Sequence, residues 1–114
     1  MIDKLYALGD YYLNGTINGH SRHIYDICKL LEIVKIDDEL KHLRKMVRIE
    51  RKNDKQCPSA NDDVNFKMLL QDIIEKKAYK SDYDNITSAL LFEKLNYDTA
   101  VMALKKILKS DLFD

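Results

Sequence analysis

The sequence predicts an all-α fold: a compact bundle of five or six short helices, one domain spanning 1–114. Three observations carry this expectation. Only 3 Gly and 1 Pro punctuate the 114 residues, so breaks are few and the elements between them are long. Apolar residues recur every three or four positions, the spacing of one helix face. Strand signals are poor: Trp is absent, the 7 Tyr are the only abundant strand-favouring aromatics, and Ile follows helical spacing instead of alternating.

The elements follow in order. A first helix is expected from about Asp3 to Leu13, with Leu5, Leu8 and Tyr12 on one face and Asn14-Gly15 as its stop. A Gly- and Asn-rich turn over 15–19 precedes a second helix from about Ser21 to Val34, carrying Ile24, Ile27, Cys28, Leu31 and Val34 at core spacing. The third opens at Asp37, a suitable cap, and Asp38 and Glu39 suit the positive end of its dipole. Leu40, Leu43 and Val47 are expected to face inward, and the helix fades by about Lys52. Residues 53–62 read as the clearest loop, holding the sole Pro and dividing two helical halves. Ten or so residues are too few to separate domains. A fourth helix starting at Asn61 or Asp62 buries Phe66, Leu69, Leu70, Ile73 and Ile74. After a break at Lys80-Ser81, a fifth helix from about Asp82 or Asp84 to Leu95 buries Ile86, Ala89, Leu90 and Phe92. A turn at Asn96-Tyr97-Asp98 leads to a sixth with Val101, Leu104, Ile107 and Leu108 inside.

Composition restricts function. With 19 basic and 19 acidic residues the formal net charge is zero, which excludes a uniformly basic nucleic-acid coat and a supercharged membrane binder. No run approaches 18 apolar residues, so no membrane span is expected. The start Met1-Ile2-Asp3-Lys4 does not read as a signal peptide, and two cysteines are too few for a disulfide scaffold. A cytoplasmic protein with reduced thiols is the expectation, in the host cytoplasm for a viral chain. Lys, Ile, Asn and Tyr make up 40 of 114 residues against 14 for Gly, Ala, Arg and Pro. That usage fits the AT-rich genome of a virus, a phage or a low-GC bacterium.

No enzyme is expected. The three glycines, Gly9, Gly15 and Gly19, form no phosphate loop, and no base is placed beside Cys57. No cofactor motif is read. His20, His23 and Cys28 could share a helix side, but a zinc site needs three or four well-placed ligands and no paired thiols accompany them, so no metal is assigned.

The most informative feature is the third helix. Lys41, Arg44, Lys45, Arg48, Arg51, Lys52 and Lys55 recur every three or four residues and are read as one stripe opposite Leu40, Leu43 and Val47. Three of the four arginines lie here, and Arg offers a planar fork for phosphate or carboxylate. The segment 41–55 carries +5, and the remainder carries −5. The plain account is a solvated face paired with acidic neighbours such as Asp10, Asp26 or Asp72. The functional account is a docking strip for an acidic protein surface or a phosphate backbone, anchored by Arg44, Arg48 and Arg51. On the functional account, reversing Arg44 and Arg48 to Glu abolishes partner binding and leaves secondary structure intact.

Residues 86–104 have the rhythm of a helix-turn-helix and resemble that DNA-binding motif, with Asn96 where Gly usually turns the chain. The resemblance implies a DNA-facing set of Thr99, Lys105, Lys106 and Lys109. Residues 8–15, Leu-Gly-Asp-Tyr-Tyr-Leu-Asn-Gly, resemble the first helix of a Sel1-type repeat, but the unit is not repeated and such arrays need about three copies. The tail Ser110-Asp111-Leu112-Phe113 loosely resembles peptides that dock on replication sliding clamps, without their leading Gln. The expected function is therefore a small non-enzymatic binding or regulatory protein with a protein partner. DNA binding through the last two helices is the alternative, and a structural protein or homodimer the third.

Overall fold

Leu5, Tyr6 and Leu8 are wholly buried along the first helix, α1 (Ile2–Asn14), in a computed structural model that describes all residues 1–114. Gly15 ends α1 in the left-handed conformation, φ 70°, where its amide closes the last turn. Two further helices precede the loop, α2 (Arg22–Leu30) and α3 (Asp38–Arg51). The Asp37 side chain accepts from the Leu40 amide at 2.9 Å, so the cap read from the sequence is formed. Next come a short 3₁₀ turn at Pro58–Ala60 and α4 (Phe66–Glu75), which starts later than expected because Asn65, not Asn61 or Asp62, caps it.

The segment 80–90, here α5, is continuous but not uniform. It is α-helical at Lys80–Asp82, widens to a π turn over Tyr83–Thr87, and tightens again at Ser88–Leu90. The last helix, α6 (Tyr97–Lys109), is capped by Asn96, whose side chain accepts from the Thr99 amide at 2.8 Å. No strand occurs. The expected all-α class is the observed one.

α2 and α4 each pack against both α1 and α6, while α3 lies along α1 and the 3₁₀ turn. The radius of gyration, 13.5 Å, is close to the ~13 Å of a compact chain this long. One cluster of 22 buried apolar residues draws on every helix. Part of the connection between α3 and α4 enters the core. Ser59 and Ala60 are fully buried, and Ser59 donates its amide (2.9 Å) and its hydroxyl to the Asp10 carboxylate. Gly9 permits this approach: a Cβ there would lie 2.8 Å from the Ser59 Cβ and 3.0 Å from Leu69 and Phe66 carbons.

The π turn explains the largest core misreading. A wider turn shifts the buried row to Tyr79, Tyr83, Thr87 and Leu91, every fourth residue. Ile86, Leu90 and Phe92, expected inside, are exposed. The Tyr79 hydroxyl donates to the Leu8 carbonyl and the Tyr83 hydroxyl to the Leu95 carbonyl. Burial pushes the Tyr83 and Tyr97 phenols up to about 12, so both stay neutral. Asp82, at the start of the π turn, accepts the Gly19 and Ser21 amides at 2.8 and 3.1 Å and so fixes the connection from α1 to α2.

Candidate functional site

The basic residues of α3 do not form a solvent-facing stripe. Arg44 lies one turn after Leu40 and Arg48 one turn after Arg44, so the row shares the face of Leu40 instead of opposing it. Arg44 is 5% exposed. Its Nε donates to the Leu112 carbonyl at 2.8 Å and its Nη2 to the main-chain oxygen of Asp114 at 3.0 Å. Its guanidinium also sits 5.4 Å from the Phe113 ring centre. Arg48 donates to the carbonyls of Ala60, Asn61 and Val64 at 3.4, 3.1 and 3.2 Å. Arg51 pairs with Asp3 at 2.8 Å, Lys41 with Asp111 at 3.3 Å, and Lys52 with Asp62 at 3.8 Å. Lys45 and Lys55 are exposed and form no ion pair.

The three arginines proposed as docking anchors therefore bind the chain itself. Their acceptors are mainly carbonyls of the 3₁₀ loop and the tail, not Asp10, Asp26 or Asp72. This agrees with the choice of Arg over Lys: a planar fork can satisfy several carbonyls at once. The correction follows from geometry, because a helix that buries Leu40 also turns Arg44 inward.

What the rotation exposes is apolar. Leu43, expected in the core, is 50% exposed, Met46 47% and Ile49 67%. They form a row on the outer side of α3. Beside it, Val34, Leu40, Leu43 and Met46 line an open groove of about 430 Å³, with Lys35, Asp37, Glu39 and His42 around them. The sequence contained the signal: Leu43, Met46 and Ile49 are three apart and lie opposite Arg44 and Arg48.

The helix-turn-helix does not form as expected. α5 stops at Leu90, Leu91 is extended, and residues 91–96 make a six-residue connection instead of a tight turn at 96–98. Phe92 in that connection is fully exposed. α6 is deeply packed, burying Tyr97, Ala100, Val101, Ala103, Leu104 and Ile107. Its remaining face presents Thr99, Met102, Lys105, Lys106 and Lys109 in one exposed row, and those lysines have no ion-pair partner.

His20 and His23 stack with Tyr11, the Tyr11 and His20 ring centres being 3.6 Å apart. Burial, then the positive charge of Lys4, hold the His23 imidazole below its ordinary value. Cys28 belongs to another surface, beside Leu31, Thr99, Met102 and Ala103. No group of three or more His, Cys, Asp or Glu side chains is placed to hold a metal ion. Burial, with Asp10 and Asp54 nearby, pushes the Cys57 thiol up, away from a reactive thiolate. No helix is long and apolar enough to cross a membrane.

No family model matches the chain, and no curated protein or solved structure is significantly similar to it.

Proposed function

We propose that this is a non-enzymatic helical binding protein that engages a protein partner through the outer face of α3. The observation carrying this reading is the row Leu43, Met46 and Ile49, left about half exposed or more beside a groove with an apolar floor and a charged border. An amphipathic helix of a partner suits such a groove, its apolar face covering the row. Asp37 and Glu39 border the groove beside Lys35, and Lys45 is unpaired one turn before Ile49, so a partner with charges of both signs flanking its apolar face fits best. The contact thus stays on α3, but on the side away from Arg44. A viral, phage or low-GC bacterial origin, supported by residue usage, and a cytoplasmic site of action complete the proposal.

The test uses stoichiometric co-purification from the native host, comparing wild type with Leu43→Asp/Met46→Asp. Loss of the partner with that variant, and its retention with Lys105→Glu/Lys106→Glu, is the expected result. Retention with the Asp variant would refute the reading. DNA binding is the second reading, favoured by the unpaired Lys105, Lys106 and Lys109 row. A nuclease-sensitive partner lost with the Lys variant would favour it.

A further inference from the structure

The outer side of α3 gathers Leu43, Met46 and Ile49, whereas Met68 of α4 and Met102 of α6 stand singly on their helices. A helix turns about 100° per residue, so Met46 marks the middle of this face, with Leu43 and Ile49 about 60° to either side. Glu39, His42 and Glu50 fall within about 40° of the same line. All three are exposed, and neither Glu39 nor Glu50 forms an ion pair.

The charges along the helix are ordered. Its start is acidic, with Asp37, Asp38 and Glu39. Its end and the residues just after carry Arg51, Lys52 and Lys55 against Asp54. A second α3 laid on this face has two directions to choose from. Parallel, each end meets its own like, acids on acids and cations on cations. Antiparallel about Met46, Leu43 comes level with Ile49 of the second copy, and His42 with its Glu50. The acidic start then lies beside the Lys52 and Lys55 end of the second copy. The two helix dipoles are also opposed. Lys45 sits at the margin of the face, where its long stem lets the ammonium reach solvent away from its counterpart. The face is therefore its own complement, the condition for a two-fold contact in which one patch serves both chains.

We propose that the occupant of the outer α3 face is a second copy of this chain, paired antiparallel through α3 about Met46. The inference rests on the reading of that face as a protein-docking surface and names the partner. One face of a 14-residue helix covers less than the roughly 800 Å² per partner of a standard interface, so the dimer dissociates in the micromolar range.

The test is sedimentation equilibrium of the purified full-length chain at low salt. Between about 5 and 500 µM the mass is expected to rise from the 13.4 kDa monomer toward twice that value. Leu43→Asp/Met46→Asp stays monomeric throughout with an unchanged circular dichroism spectrum, and Ile49→Lys gives the same readout should that variant unfold. Glu39→Lys/Glu50→Lys weakens the dimer about tenfold, because it faces Lys52 and His42 of the second copy with like charge. Met46→Cys, oxidised with glutathione disulfide, links two chains through position 46, as read by peptide mass mapping. A wild-type monomer at the highest concentration, or a dimer that persists in the Asp variant, overturns the proposal. Unweakened pairing of Glu39→Lys/Glu50→Lys overturns the antiparallel arrangement. Co-purification from the host keeps the two readings apart. A monomeric chain whose host partner is lost with the Asp variant overturns self-pairing alone, whereas one whose partner is retained overturns the docking face as well.

Discussion

Arg44→Ala separates a structural arginine from a docking arginine. The substitution removes two charge-assisted hydrogen bonds, one of them to the carbonyl of Leu112, a fully buried residue. Hydrogen bonds to charged groups contribute roughly 1.5–3 kcal/mol each, and a buried acceptor left alone adds its desolvation penalty. The cation held 5.4 Å from the Phe113 ring centre is lost as well. Because these contributions overlap, the expected destabilisation is about 3 kcal/mol, within the range for breaking a buried charged contact. For a chain of 114 residues that corresponds to a fall in Tm of about 12 °C. Urea unfolding followed by circular dichroism measures it, with exposed Lys45→Ala as the control, expected within about 0.5 kcal/mol of wild type. A loss below about 1 kcal/mol for Arg44→Ala would refute the reasoning. The double reversal of Arg44 and Arg48 to Glu is accordingly expected to unfold the protein, so it cannot serve as a clean binding variant.

Three other outcomes are expected. Gly9→Ala should destabilise by about 1–3 kcal/mol in the same urea assay despite the better helix propensity of Ala, because the new carbon would lie 2.8 Å from Ser59 Cβ; unchanged or increased stability would show that the 3₁₀ loop yields. Asp82→Ala leaves the Gly19 and Ser21 amides without their carboxylate and should cost about 2 kcal/mol, with faster hydrogen exchange at both amides. His23 has a folded-state value below its unfolded value of about 6.5, so the unfolded chain binds the extra proton. Its contribution is intact above pH ~6.5 and is lost as pH falls toward the folded value, so stability should decline as the pH drops below about 6.5 and His23→Gln should flatten the slope.

The fold was legible because its helices obey local rules. Periodic apolar spacing, the Asp37 cap and the Asn14-Gly15 stop all act within a few residues, and all are formed. The misreadings share a different cause. The π turn at 83–87 changes the period, so a regular pattern puts Ile86 and Leu90 inside where Tyr83, Thr87 and Leu91 occupy the core. The tyrosines were easy to misjudge because each needs a hydrogen-bond acceptor to be buried comfortably. The acceptor of Tyr79, the Leu8 carbonyl, lies 71 residues away. The basic row of α3 was visible, but its direction was not. A guanidinium and an aliphatic side chain compete for one face, and the outcome depends on carbonyls at Ala60, Asn61, Val64 and Leu112 that no local pattern announces.

The polar ties that close this fold join distant parts of the chain. Ser59 meets Asp10 across 49 positions, Asp82 meets Gly19 across 63, and Arg44 meets Leu112 across 68. Simple helical bundles rest on local contacts and fold in microseconds to milliseconds. Here the first and second helices are completed by partners from the second half of the sequence, so large loops must close before those contacts form. The expected folding rate is therefore below that of an ordinary helical bundle of this size, nearer that of mixed α/β domains. A stopped-flow chevron would show it, with Asp82→Ala accelerating unfolding more than it slows folding if that tie forms late.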